Sequence, residues 1–180
     1  MIEIDKNNSI ILSSNSTLPH GWRWVRLGEG CDADSDICGD PADNSHLCYP
    51  VLRSSNVQDG KMIFDDIAIR MITKPGIVEK KRLGMGDILV TTSSGSKDLL
   101  GKSAIFVQPS DEGKYLFSNF TMRLRPTKEV IEATFLHLYL QSPKAKQVLT
   151  TLQDTTTGLR NLDRREFLAQ EIPFPPLPEQ

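Results

Sequence analysis

Four prolines in the nine residues Ile172-Pro173-Phe174-Pro175-Pro176-Leu177-Pro178-Glu179-Gln180 narrow what this chain can do at its end. Proline fixes φ and has no backbone N–H, so the stretch can be neither helix interior nor central strand. An extended, polyproline-like arm is expected, and its apolar residues require a surface to lie on. Glu179-Gln180 has the character of a first helical turn, because acidic residues favour helix N-termini. The pattern is that of a module leading into a helix that the sequence does not contain.

The 180 residues suffice for one domain with its own core. No apolar run is long enough to span a bilayer. Met1-Ile2-Glu3-Ile4-Asp5 lacks the basic and apolar regions of a signal peptide, so a cytoplasmic protein is expected. Three cysteines, an odd number, fit reduced thiols better than a disulfide framework. The net charge of −2 is unevenly spread. Residues 1–60 carry nine acids against four bases, whereas residues 61–180 carry seventeen bases against fourteen acids. Positive charge gathers between Arg70 and Arg82 and between Lys144 and Arg165. Such faces can hold phosphates locally, since screening leaves only nearby charges in play.

Hydrophobic patterning predicts an α+β fold. It consists of one globular domain with a mixed, strongly curved sheet of short strands and a late helical pair. Residues 1–17 read as an N-terminal extension, 18–171 as the domain and 172–180 as the proline-rich junction. Leu18-Pro19-His20-Gly21-Trp22 is a turn, and Trp22–Leu27 alternates like a strand. Residues 31–48 read as a Cys/Asp-rich surface loop. Apolar runs predict strands at Tyr49–Arg53, Ile88–Val90 and Ala104–Val107. Tyr115–Phe117 and Phe120–Arg125 read as a hairpin-rich region, with Phe120, Met122 and Leu124 on one face and Thr121, Arg123 and Arg125 on the other. A first helix is expected from Thr127 as N-cap, and a second from Ser142 with Pro143 at its first position. Asp163-Arg164-Arg165-Glu166 is a capping box for a short third helix.

Catalytic motifs are near misses. Gly95-Ser96-Lys97-Asp98-Leu99-Leu100-Gly101-Lys102-Ser103 has five residues between its glycines where a phosphate loop needs four, and a strand follows where a helix is required. Asp32, Asp34, Asp36 and Asp43 imitate a calcium loop, but Ile37 takes the place of its turn-forming glycine. Cys31, Cys38, His46 and Cys48 contain no Cys-x-x-Cys pair for zinc. No Gly-x-Ser-x-Gly elbow is present. A small nucleotide- or metal-dependent enzyme therefore stands as an alternative on the loop 95–103, and a protein-interaction module as another on the proline tail.

Polar loops at strand and helix ends carry the stronger signal. They are Arg53-Ser54-Ser55-Asn56, Thr92–Lys97, Ser118-Asn119 and Thr155–Asn161. Ser, Thr and Asn bond phosphate oxygens or base edges, Arg fits guanine O6/N7 and Asn fits adenine N6/N7. Each loop alone is also ordinary turn chemistry.

These loops and the tail together resemble the target recognition domain of the type I restriction-modification specificity (S) subunit. The matching pieces run in order along nearly the whole chain. They are Leu18-Pro19-His20-Gly21-Trp22 with Arg26-Leu27-Gly28, Leu52-Arg53-Ser54-Ser55-Asn56-Val57, and Gly86-Asp87-Ile88-Leu89-Val90 with Ser94-Gly95-Ser96. Then come Leu100-Gly101-Lys102-Ser103-Ala104, Phe117-Ser118-Asn119, Leu124-Arg125-Pro126, Gly158 with Asn161-Leu162, and the proline tail. The resemblance implies double-stranded DNA as ligand, with one half of a split site read by each of two recognition domains. It implies helices that space those domains and dock methyltransferase and endonuclease subunits. It implies no catalytic group and no cofactor in this chain. The chain departs in having one domain and no spacer helix, and is read as a recognition domain cut at the spacer boundary. Residues expected at DNA are Arg53, Ser54, Asn56, Ser94, Ser96, Lys97, Asn119, Arg160 and Asn161, with Lys146 and Arg164 on phosphates. The five aspartates of 31–48 would be repelled by DNA, so that loop is expected to face away.

Overall fold

The computed structural model describes residues 2–4, 10–12, 17–35, 40–41, 47–58, 60–110, 113–156 and 159–180. Strands β1 (Ile2–Ile4) and β2 (Ile10–Leu12) form an antiparallel hairpin. The domain proper opens at the Pro19–Trp22 turn, closed by a Trp22 N–H bond to the Pro19 carbonyl, with Gly21 at φ +83°. Next come β3 (Arg23–Arg26), a single helical turn α1 (Leu27–Gly30), β4 (Cys31–Ser35) and β5 (Asp40–Pro41). The chain continues through β6 (Cys48–Leu52), a 3-10 turn at Ser54–Asn56, β7 (Val57–Gln58), β8 (Lys61–Met62) and β9 (Ala68–Met71). Helix α2 (Pro75–Lys81) precedes β10 (Ile88–Thr91), β11 (Ser93–Ser94), a 3-10 turn at Lys97–Leu99 and β12 (Ser103–Ile105). After β13 (Leu116–Phe117) and β14 (Thr121–Pro126) come helices α3 (Ala133–Gln141) and α4 (Pro143–Thr151). Strands β15 (Gln153–Thr156) and β16 (Leu159–Leu162), helix α5 (Arg164–Ala169) and β17 (Glu171–Phe174) complete the order.

The fold is the expected α+β domain of short strands. Its strands divide among several small sheets rather than one. The central sheet has the order β12-β10-β14-β4, all antiparallel. Every residue of β10 is buried, as an apolar run without alternation requires. Ile88 and Val90, with Met122 and Leu124 of β14, face a core built from α3, α4, α5 and β17. Leu89 faces the opposite way, towards Leu52, Ala104, Phe106, Tyr115 and Phe117. A second sheet, β13-β6-β9-β5, covers that side, and its β13–β6 pairing is parallel.

The cap at Ser142 forms as the sequence requires, and of the capping box at 163–166 the Asp163 half forms while the Asp163 N–H donates to the Leu152 carbonyl at 3.0 Å. Ser142 Oγ accepts the Ala145 N–H at 3.2 Å, and an Asp163 carboxylate oxygen accepts the Glu166 N–H at 2.9 Å. The first long helix starts later than expected. Thr127 closes a turn, and α3 begins after Glu132, whose N–H donates to Gln180 Oε1 at 2.8 Å. The tail does lie on the domain, but not as an arm throughout. Ile172 and Phe174 are buried, β17 pairs with β3, and Leu177–Glu179 forms a 3-10 turn. Pro173 fits there because β17 lies at the edge of a two-stranded ladder. The expected boundary at 171/172 therefore falls inside a strand of the domain. Strands β13 and β14 do not pair with each other, so the hairpin expected there is replaced by pairings to β6 and to β10 and β4.

Residues 31–35 are not a surface loop but the edge strand of the central sheet. Their aspartates face cations rather than solvent alone. Arg123, only 2% exposed, donates to Asp32 Oδ2 at 3.0 Å and to the Lys80 carbonyl at 3.1 Å, and lies 3.7 Å from Asp34 Oδ2. Lys81 donates to Asp34 Oδ1 and to the Ser35 carbonyl. Both cations approach the Phe117 ring, at 5.8 Å for Lys81 and 5.6 Å for Arg123. Asp36 and Asp43 lie outside the described residues.

Gly101 holds the turn before β12 at φ +77°, and a Cβ there would sit 2.7 Å from Leu149 Cδ1. Leu149 is buried among the α3 and α4 side chains and has little room to withdraw. Gly101→Ala is therefore expected to cost ~1–3 kcal/mol, read as a lower urea midpoint. An unchanged midpoint would show that this turn relaxes freely.

Candidate nucleic-acid interface

The strand registers bring the polar loops to one end of the central sheet. Thr91 pairs with Thr121, and Ser35 pairs with the adjacent Met122. Beyond Thr91 the chain enters β11, which belongs to the ribbon β11-β16-β15. Ser93 faces Asn161 and Ser94 faces Arg160 in that ribbon. Ser93 Oγ donates to Asn161 Oδ1 at 2.7 Å, and Ser94 Oγ accepts the Ser96 N–H at 3.1 Å. Two bonds tie the ribbon to its surroundings. The Thr92 N–H donates to the Phe120 carbonyl at 2.9 Å, and the Leu162 N–H to the Thr92 carbonyl at 2.9 Å.

Asn119 and Phe120 form the turn between β13 and β14. The loop 53–56 joins them through β6, because the Ser118 N–H donates to the Leu52 carbonyl at 2.9 Å. Arg53, half-buried, donates to the Asp66 carbonyl at 2.7 Å and to Asp66 Oδ2 at 3.0 Å. The Asp66 side chain is exposed and its φ is +50°. An ion pair with an exposed partner is worth little and opens readily.

Seven sequence-predicted residues thus share one end of the sheet. They are Arg53, Ser54, Ser94, Ser96, Asn119, Arg160 and Asn161, and the backbone of Lys97 lies in the 3-10 turn that follows. Arg164 adjoins them from α5, where its Nη1 donates to Ser35 Oγ. Lys146 is placed differently, exposed on α4. Asn56 departs from the expectation, since it is 1% exposed. Its Oδ1 accepts the Arg53 N–H at 2.9 Å, and its Nδ2 donates to the Ile63 and Asp65 carbonyls, both at 3.0 Å. All of that amide's polar atoms serve the loop, so Asn56 shapes the surface rather than facing outwards.

The near-miss motifs take other roles. The 95–103 segment is a turn followed by β12, so no helix N-terminus is available to hold a phosphate there. Burial, with Asp32 adding to it, pushes the Cys31 thiol up to about 12. Its Sγ donates to the Leu27 carbonyl, which makes it a core thiol rather than a ready ligand. Cys38 and His46 lie outside the described residues. Phe120 departs from the expectation that it shares the apolar face of Met122 and Leu124: it lies in the turn before β14 and is exposed, and Ser93 carried no signal beyond its place in a polar loop.

Residues 19–180 match the family model described as the type I restriction modification DNA specificity domain. The chain is 30% identical to the type I restriction enzyme EcoKI specificity subunit of Escherichia coli (strain K12) over 131 residues. That alignment covers 73% of this chain and 27% of the relative. It is 30% identical over its whole length to the putative type I restriction enzyme MjaX specificity subunit of Methanocaldococcus jannaschii, covering 42% of that protein. The chain thus spans well under half the length of these curated relatives. Among solved structures, the HsdS subunit from Thermoanaerobacter tengcongensis superposes with a TM-score of 0.58 at 22% identity, over 93% of this chain and 36% of that one.

Proposed function

This chain belongs to the type I restriction modification DNA specificity domain family, and from that premise we propose that it reads sequence in double-stranded DNA as one target recognition domain. It recognises one half of a bipartite site, with a second recognition domain reading the other half. The cutting and methylating chemistry resides in endonuclease and methyltransferase subunits that this chain directs in the cytoplasm. The proline-rich segment that follows β17 is the junction to the helices that space the two recognition domains.

The observation that carries this reading is the convergence of four polar loops, far apart in sequence, on one end of the central sheet. Ser94, Ser96, Asn119, Arg160 and Asn161 offer both donors and acceptors there, as base edges require. Arg53 joins them when its exposed pairing with Asp66 opens. Lys146 and Arg164 supply phosphate contacts that position the domain without reading sequence.

The test uses a subunit carrying this domain, the joining helices and a second recognition domain, assembled with its methyltransferase subunit and scored for the sequence methylated. Exchanging this domain for another must change one half of that sequence and leave the other half intact. Within the assembly, Arg160→Ala is expected to weaken binding to the cognate site by ~1–3 kcal/mol and leave random duplex unaffected. Equal losses on both would remove Arg160 from base reading. Lys146→Ala should weaken all duplexes alike and flatten the salt dependence by about one unit of slope.

A further inference from the structure

Phe120 is the side chain at this surface that polar recognition leaves unused. It is 43% exposed, while its neighbours Phe117, Ser118 and Thr121 are buried. Its carbonyl accepts the Thr92 N–H at 2.9 Å and the Ser93 N–H at 3.4 Å. On the other side of the turn, the N–H and Oγ1 of Thr121 both donate to the Ser118 carbonyl, at 3.1 and 2.8 Å. The backbone is therefore pinned on both sides of an exposed ring. A group held this way gives up little freedom when it meets a partner. Leu99, also large, apolar and exposed among the described residues, sits on a 3-10 turn with one bond from its N–H to the Ser96 carbonyl.

An apolar side chain among donors and acceptors has a defined counterpart on duplex DNA. Of the groups that base pairs present in the major groove, the C5-methyl of thymine is the apolar one, and Phe is among the side chains that pack on it. We propose that Phe120 is a specificity-determining residue that packs on a thymine C5-methyl group in the recognised half-site. The assignment rests on the loop cluster being the DNA-reading surface. Ser94, Arg160 and Asn161 would then read neighbouring polar edges while Phe120 selects for the methyl.

Deoxyuridine removes that methyl and changes nothing else, which gives a clean experiment. The methylated sequence is first determined for the complete subunit with its methyltransferase partner. Each thymine in this domain's half-site, on either strand, is then replaced singly by deoxyuridine, and binding is measured with the wild-type and Phe120→Ala complexes. One replacement is expected to weaken wild-type binding about fourfold, the value of one buried methyl. The same replacement should cost the Phe120→Ala complex nothing further, while melting of that variant stays unchanged. The proposal is overturned if no replacement matters, if the penalty persists in Phe120→Ala, or if the half-site contains no thymine. A base-unstacking signal from 2-aminopurine that requires Phe120, without any methyl effect, would make Phe120 a wedge and also overturn it. A wild-type complex without sequence preference would refute the DNA reading itself, and does so before any variant is made.

Discussion

Arg123→Ala is expected to lower the stability of the domain by about 2–4 kcal/mol, through the loss of charged hydrogen bonds and the packing of a buried side chain rather than through a stranded buried charge. The guanidinium is 2% exposed and holds Asp32, Asp34 and the Lys80 carbonyl together beneath the Phe117 ring. Without it, Asp34 keeps Lys81 as its one close cation among the described residues, and the Lys80 carbonyl loses the Arg123 donor. For a domain of this size the loss corresponds to a melting temperature lower by on the order of 10 °C. The pH dependence has a definite sign. Burial pushes the Asp34 carboxyl up, but the Lys81 hydrogen bond and charge, the Ser35 N–H and Arg123 together hold it below its usual value of 3.8. A carboxyl lowered by folding contributes stability that is present above that value and lost as pH falls through the folded one. Removing Arg123 lets the Asp34 carboxyl rise, so acid unfolding of the variant should begin at higher pH. Urea melts from pH 7 to pH 2 measure both effects. A variant with a wild-type midpoint and an unmoved acid limb would show that this cluster is solvated rather than structural.

The same cluster explains what could not be seen from the sequence. The alternation in Cys31–Ser35 rests on the two small residues Cys31 and Ala33, which face the core, and among so many aspartates it is too weak to mark a strand of the central sheet. The segment's partners lie 91 residues away at Arg123 and 47 away at Lys81, and only the assembled sheet makes Asp34 buriable. The basic stretch Arg70–Arg82 misleads for the same reason, since Lys81 turns inward to Asp34. Helix α2 inside that stretch buries only Val78 and Lys81, too narrow a stripe for helical periodicity to show. Where signals are local, the sequence was a sufficient guide. Ser142-Pro143 and Asp163 set their helix starts through their own side-chain and ring chemistry, and Ile88–Val90 declares a strand buried on both faces. The start of α3 is the converse case. Its Glu132 N–H is met by Gln180 from the far end of the chain, so the nearer Thr127 looked like the cap.

Candidate site residues follow the same division. Polar loops bounded by strands were legible, and the registers do gather them at one end of the central sheet. Which member of a loop faces outwards was not legible, because that depends on backbone bonds made across the turn. Asn56 illustrates this most directly. An asparagine after Arg-Ser-Ser has the chemistry of an adenine reader, yet the Ile63 and Asp65 carbonyls converge on its amide and draw it inside.

That placement yields a second large effect. Asn56→Asp keeps the shape of the side chain but removes the donor that the Ile63 and Asp65 carbonyls require, and sets a carboxylate oxygen against both of them. At 1% exposure the charge has no cation beside it in the loop except Arg53, whose guanidinium is turned to Asp66. The expected cost is about 3–5 kcal/mol, as for an uncompensated buried charge, and protonation of the new carboxyl at low pH should recover part of it. Because the residue shapes the loop carrying Arg53 and Ser54, cognate binding should fall together with folding, and the base preference of what remains should be unchanged. Thermal melts alongside selection of binding sites from a random duplex pool separate the two roles. An Asn56 variant that melts like the wild type but accepts a new base at one position would return Asn56 to the DNA and remove it from the loop's framework.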